Sequence, residues 1–182
     1  GKAALAVPAL RKNLKNQDLW LRIQAANALV AIGEAAMVAL PEMLMMLIKG
    51  ATKDDPRAME QRYICSYVFG KMLRRSSLKD VNQDLLQKAV IACLTNEDGR
   101  ARGTIAGIYG KLSYEQIKPL LPAIHKAVAV PAPSGIMFAD GIRVAGLELL
   151  AKHKIREGIP LCLDVMQIQN WGKARRIPRC LK

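Results

Sequence analysis

Aromatic side chains are scarce in this sequence, at 4% of its 182 residues, although hydrophobic residues make up 51%. Ala, Leu, Ile and Met supply most of the apolar content. Because β-sheets favour aromatic and β-branched residues whereas Ala, Leu and Met favour helices, this composition indicates closely packed helices. The sequence also lacks an uninterrupted run of about 18 apolar residues, the length that a membrane-spanning helix requires. We therefore expect an all-α chain without a membrane span, and no secretory signal pattern opens it.

The motifs of common catalytic and cofactor sites are missing as well. There is no Gly-rich phosphate loop, no nucleophile elbow and no H-E-x-x-H zinc motif. No C-x-x-C pair occurs, and the cysteines lie far in sequence from both histidines, so buried free thiols are favoured over a zinc site. Disulfide bonds between cysteines that are distant in sequence remain an alternative to free thiols. Neither histidine has a neighbouring acid to orient it as a base. We therefore predict no catalytic residue, cofactor or metal. The four cysteines of the chain are Cys65, Cys93, Cys162 and Cys180, and its two histidines are His125 and His153.

The net charge is +13, and more than a third of it comes from the last thirteen residues. The last thirteen residues contain five Lys and Arg side chains and no acid. Cations beside a tryptophan could bind phosphates and stack a base. A block of like charge more often marks an exposed face, so we favour a solvated first helix of a repeat. The residues of the phosphate-binding interpretation are Trp171, Lys173, Arg175, Arg176 and Arg179.

Two sequence patterns repeat along the chain. Asn16-x-Asp18-x-x-x-Arg22 recurs 80 residues later as Asn96-x-Asp98-x-x-x-Arg102. An apolar residue precedes proline at four places, with gaps of 33, 81 and 38 residues between the prolines. The long gap reads as two units with one proline missing, so the period is close to 40, which is typical of stacked helix pairs. The four dipeptides are Val7-Pro8, Leu40-Pro41, Leu121-Pro122 and Ile159-Pro160.

Apolar spacing and end signals predict the helices. Asp18 can cap the second helix and Gly33 can end it. Ser113 and Gln116 match a capping box, and Pro119 and Pro122 predict a bend or a later start in the helix that follows. The loops fall at 50–56, where Asp55-Pro56 starts the next helix, and at 131–135. The predicted helices span 3–15, 19–32, 35–49, 56–74, 81–95, 99–111, 114–129, 137–153 and 156–169.

The first of these repeats resembles the first helix of a HEAT repeat. The matching residues are Asp18, Arg22, Ala25, Ala26, Leu29, Ile32 and Gly33, then in part Asp98, Arg102, Ala106 and Gly110, and loosely Asp140, Arg143, Ala145, Gly146 and Leu150. The resemblance implies a right-handed α-α superhelix of about four antiparallel helix pairs, whose second helices usually line a concave face. It covers a single domain, 1–182. The units are 16–50, 55–95, 96–130 and 134–169, with half units at 1–15 and 170–182.

A second likeness concerns the later part of the chain. The segments 137–143, 149–153 and 176–180 resemble the helical part of a group of large, little-characterised bacterial proteins. Such relatives place these repeats beside other modules, which implies that this chain is a fragment. The sequence agrees with that expectation, because it opens on a lone helix and closes on half of a new pair.

The Asp/Arg pairs have two interpretations. They could form a catalytic or anion-binding site, or a hydrogen-bonded ladder between neighbouring repeats. A surface ion pair contributes only about 0.2–0.5 kcal/mol, yet a recurring pair fits a repeating structural need, so we favour the ladder. Its members are Asp18, Arg22, Asp98, Arg102, Asp140 and Arg143.

The sequence thus favours a non-catalytic HEAT-like scaffold that binds another protein or adjacent domains. The alternative is a nucleic-acid-binding protein, since the helical repeats and basic charge resemble those of helical-repeat DNA repair glycosylases. That likeness is one of fold alone. The Asp, Trp and Arg site of those enzymes has no match here, and a hydrolase or lyase has no supporting residues.

Overall fold

A computed structural model of the chain describes residues 2–49, 60–168 and 175–181. These residues form helices and turns with no strand among them, and one isolated bridge joins Asp98 to Ser134. The all-α prediction is therefore confirmed. The chain divides into two compact units, residues 1–93 and 94–182. The start of the fourth predicted helix at Asp55-Pro56 lies outside the described residues.

The described part of the first unit contains five α-helices joined by shorter helical turns. These helices are α1 (Val7–Asn13), α2 (Leu19–Ile32), α3 (Leu40–Lys49), α4 (Glu60–Tyr67) and α5 (Gln83–Leu94), the last of which ends in the second unit's first residue. Turns of 3-10 helix lie at Lys2–Ala6, Gly33–Ala39 and Leu78–Asp80, and a π-helical segment, Val68–Leu73, continues α4.

Helix α4 is the centre of the first unit's packing, because both α2 and α3 lie against it. Leu19, Ile23 and Leu29 of α2 and Ile64 of α4 are almost fully buried. Helix α2 ends at Gly33, whose φ of +82° is a conformation that side chains with a Cβ rarely adopt. The predicted stop at Gly33 is therefore confirmed.

The segment Leu19–Lys49 is long and apolar enough to cross a membrane by length and composition alone, with a mean hydropathy of 1.7 in its most apolar window. Core helices pass the same test, and 39% of that window is buried. The break at Gly33 also divides the segment into α2 and α3, of 14 and 10 residues. Each is shorter than the roughly 20 residues that a straight span needs.

The described part of the second unit also consists of α-helices joined by shorter helical turns. Its described helices are α6 (Gly99–Ala106), α7 (Tyr114–Ile117), α8 (Leu121–Ala129), α9 (Ala139–Lys152) and α10 (Gly158–Val165). Turns of 3-10 helix lie at Tyr109–Lys111, Lys118–Leu120, Ile136–Phe138 and Ile177–Leu181. Helix α9 packs against α6, α8 and α10 and is the centre of this unit.

Backbone hydrogen bonds connect the start of α6 to the loop before α9. The Gly99 N–H donates to the Ser134 carbonyl over 2.8 Å, and the Ser134 N–H donates to the Glu97 carbonyl over 3.1 Å. A Cβ on Gly99 would lie 2.6 Å from the Gly135 carbonyl oxygen, so the two backbones approach more closely than any other residue allows. Gly135 itself has a φ of +66°.

Several helix boundaries differ from the sequence prediction. Residues 33–39 form a 3-10 helix, so the helix predicted over 35–49 begins at Leu40 and not near Ala35. The helix predicted over 99–111 ends at Ala106. The capping box of Ser113 and Gln116 is present, and the helix after it restarts at Leu121, as the prolines predict. The π segment had no sequence signal.

Replacing Gly99 and Gly103 by alanine tests the close contact between the two backbones. Gly99→Ala is expected to destabilise the protein by about 1–3 kcal/mol, because backbone atoms stand where the methyl group must go. Gly103 lies four residues along the same helix, where a Cβ would meet Ile142 at an ordinary 3.8 Å. Gly103→Ala should therefore stabilise by about 0.5–1 kcal/mol. Urea unfolding followed by circular dichroism measures both, and equal midpoints would contradict the contact.

Candidate functional site

The first copy of the repeated motif is a closed turn before α2. The Asp18 N–H donates to Asn16 Oδ1 over 2.8 Å. Asp18 Oδ1 accepts from the Trp20 N–H over 2.7 Å and caps the helix, as predicted. The Arg22 guanidinium reaches back and donates to the carbonyls of Asn16 and Gln17 over 2.8 and 2.9 Å. The three motif side chains thus satisfy backbone groups of the turn that contains them.

The second copy repeats this arrangement before α6. The Asp98 N–H donates to Asn96 Oδ1 over 2.7 Å, and Asp98 Oδ1 accepts from the Arg100 N–H over 2.8 Å. Arg102 Nε donates to the Asn96 carbonyl over 2.7 Å. Two copies with the same internal hydrogen bonds indicate a structural turn.

Two arginines from different helices meet at the carboxyl end of α8. Arg102 donates to the Val130 carbonyl over 3.0 Å, and Arg143 of α9 donates to the Val128 carbonyl over 2.7 Å. Carbonyls at a helix end lack intrahelical donors, and cations there are favoured by the helix dipole. Burial lowers the pKa of Arg102 from its ordinary value, and the Glu97 carboxylate opposes this effect. Both arginines therefore connect neighbouring helices.

The third Asp/Arg pair departs from the first two. The residue that precedes α9 is Phe138, which makes no side-chain cap, and Asp140 lies within the first turn. Only the arginine of this pair, Arg143, keeps a contact like that of Arg102. The loose sequence match at this position thus corresponds to a different helix start.

Arg22 also forms a buried ion pair with Glu60 of α4. Its Nε lies 2.5 Å from Glu60 Oε1, and the two side chains are 14% and 5% exposed. Nearby, Arg11 forms an ion pair with Glu42, whose second carboxylate oxygen is buried and has no hydrogen-bond partner among the described residues. Arg22, Glu60 and Glu42 line a cavity of about 590 Å³. Because arginines hold both carboxylates, neither is presented as a free general base.

The basic tail shows one of its cations engaged within the protein. Arg176 donates to both carboxylate oxygens of Glu148 in α9, over 2.8 and 2.5 Å. Arg175 and Arg179 are exposed. The other two residues of the phosphate-binding interpretation, Trp171 and Lys173, lie outside the described residues. The two side chains of this ion pair are 45% and 40% exposed, so the pair is a surface contact.

The histidines and cysteines do not assemble into a site. Among the described residues, no three His, Cys, Asp or Glu side chains are placed to hold a metal ion. Burial, and then the charge of Lys152, lower the pKa of His153. Cys65 and Cys93 are buried with their sulfurs 3.7 Å apart, and their hydrogen bond, followed by burial, raises the pKa of Cys93. Raised thiol pKa values disfavour the reactive thiolate.

The first unit contains a groove with a volume of about 740 Å³. Its floor is apolar and its rim carries cations, acids and neutral polar groups. The floor includes Met37, Leu40, Leu44, Met72 and Leu85, and the rim includes Lys71, Arg75, Ser76, Ser77, Asn82, Glu34 and Asp80. The sequence cluster of Met37, Met43, Met45 and Met46 allows either core filling, which the helical spacing favours, or a binding groove. Met43 and Met46 are buried, whereas Met45 is 49% exposed and Met37 lines the groove.

A row of aromatic rings lies on α2 and α4 of the same unit. Trp20 and Tyr63 meet edge to face, with centroids 5.6 Å apart and planes at 64°. The Arg62 guanidinium carbon lies 5.4 Å from the Tyr63 centroid. One turn on, Lys71 Nζ lies 5.2 Å from the Tyr67 centroid. We call these five residues the aromatic row. Its sequence signal is the four-residue spacing of Tyr63, Tyr67 and Lys71.

An exposed apolar face lies on α10 in the second unit. Ile159, Leu163 and Met166 are 47%, 59% and 49% exposed and follow one another at helical spacing. The opposite side of the same helix is buried, through residues such as Cys162 and Val165. A helix that is apolar on both sides usually lies between two neighbours.

Substitutions at Arg102 and Arg100 test whether the repeated turn is structural. Arg102→Met removes the donor from the carbonyls of Asn96 and Val130 and should cost about 1–3 kcal/mol of stability. Arg100, two residues away, is half exposed, and Arg100→Met should change stability by no more than about 0.5 kcal/mol. Chemical denaturation measures both values. A similar loss for the two variants would contradict the structural role.

Two surfaces stand out in the described part of the chain: the α10 face, and the groove with its aromatic row. Neither surface carries a nucleophile paired with a base among the described residues. No protein-family model, curated protein or solved structure matches the chain.

Proposed function

We propose that the chain is a HEAT-like α-α superhelix of about four antiparallel helix pairs. In this proposal it is a non-catalytic scaffold that binds another protein or an adjacent domain of the same polypeptide. The observation that carries the proposal is the exposed apolar face of α10, formed by Ile159, Leu163 and Met166.

The order of helix packing supports the repeat architecture. In the first unit, α2 packs against α4, which is the first helix of the next predicted pair. In the second unit, α6 packs against α9 in the same way, and α8 packs against α10, the second helix of the next pair. Contact between corresponding helices of successive pairs is the contact that a stacked repeat requires.

The α10 face has the character of a binding surface. Three large apolar side chains, each about half exposed, lie together on one side of a short helix. Covering apolar area is favourable by about 25 cal/mol per Å², and contiguous apolar patches on proteins commonly mark interaction sites.

Site-specific photocrosslinking tests this function in the cells that naturally produce the protein. A benzophenone amino acid replaces Leu163 in one variant and Val38, an exposed residue of the first unit, in the other. We expect a crosslink to a protein segment from position 163 and none from position 38. Adding Ile159→Glu, one turn away, should abolish that crosslink, because it charges the same face.

Mass spectrometry of the crosslinked peptides identifies the segment as another protein or another domain of the same chain. Either result supports the scaffold function. Equal crosslinking from positions 163 and 38, or a crosslink that survives Ile159→Glu, would count against it.

A further inference from the structure

We propose that the first unit binds single-stranded nucleic acid along the aromatic row (Trp20, Arg62, Tyr63, Tyr67 and Lys71) and into the adjoining groove. This function goes beyond the scaffold function and does not depend on the α10 face, which belongs to the second unit.

The rings supply surfaces on which bases can stack. Although the chain has only eight aromatic side chains, three of them lie in this row. Trp20 is 37% exposed, and Tyr63 and Tyr67 are partly exposed. Aromatic rings at a protein surface bind single strands with little sequence preference, because every base has a flat face.

Of the two cations in the row, the exposed Lys71 is placed for a phosphate between stacked bases. Arg62 and Lys71 each lie over a tyrosine ring, at 5.4 and 5.2 Å from its centroid. Of the acids on α2 and α4, Asp18 caps α2 and Glu60 is paired with Arg22. Lys71 of the row and Arg75 on the groove rim are exposed cations in a chain whose net charge is +13, and charge of this sign attracts a phosphate backbone.

The groove extends the row, because Lys71 contributes to both. Beyond Lys71 its rim presents Arg75, Ser76 and Asn82, whose donors suit phosphate oxygens and base edges. Glu34 and Asp80 also lie on the rim, and their charge repels phosphate, which assigns the backbone to the part near Lys71 and Arg75.

This combination distinguishes a single strand from other polyanions. In a duplex the base faces are stacked on one another and are not available to the rings. An acidic peptide supplies negative charge but no flat faces. Stacking and charge together therefore favour unpaired nucleic acid.

Fluorescence anisotropy with a labelled oligothymidylate at low and moderate salt tests the proposal. We expect binding that weakens as salt rises, and a Tyr67→Leu variant that binds about tenfold more weakly through loss of one stacking surface. Lys71→Gln should lower the slope of log affinity against log salt by about 0.7, the value for one phosphate of a single strand. The control is Lys88→Gln, the same charge change at an exposed lysine that pairs with Asp84 on α5.

Tryptophan fluorescence provides a second readout. In a Trp171→Phe background Trp20 is the sole tryptophan, and its emission should be quenched by the oligonucleotide and not by polyglutamate. Absence of binding at low salt would overturn the proposal. So would equal affinity for duplex or polyglutamate, or equal losses from Lys71→Gln and Lys88→Gln. Lys71 is exposed, so its variant remains informative if Tyr67→Leu fails to fold.

Discussion

The constraint on which this structure depends is the hydrogen bonding of helix ends. Each helix leaves unpaired N–H groups at its start and unpaired carbonyls at its finish, and the described helices of this chain are only 4 to 14 residues long. A protein built from such short helices has many ends for its length. The closed turns before α2 and α6, and the arginines at the end of α8, satisfy these groups where the helices are packed together.

Helix caps and helix stops that depend on a few consecutive residues were predicted well from the sequence. Asp18 as a cap, Gly33 as a stop and the capping box at Ser113 are all present, because each depends on backbone geometry that a local side chain determines. The early end of α6 and the π segment after α4 could not be predicted this way. Both depend on how a helix packs against its neighbours. The intrinsic helix propensity of the residues predicts such features weakly, because tertiary packing overrides it.

The candidate sites are formed by residues that lie far apart in sequence, and the sequence predicted them less well than it predicted the helix ends. Composition drew attention to the basic tail, yet Arg176 is held by Glu148 of α9. Composition gave no weight to Trp20 and Tyr63, which become neighbours only because α2 packs on α4. A net charge or a count of aromatic residues describes the whole chain, whereas a binding surface depends on which few side chains share one face.

The closed turn also has a consequence for how such a chain can grow. Its inner hydrogen bonds, from Asn to Asp and from Arg back to the Asn carbonyl, are contained within seven residues in both copies. The arginine's hydrogen bond to a residue outside the turn differs between the copies. Arg22 donates to the Glu60 carboxylate, whereas Arg102 donates to the Val130 carbonyl. A duplicated segment therefore brings its own turn intact, and divergence between copies can act on the bond that the arginine makes to its new neighbour.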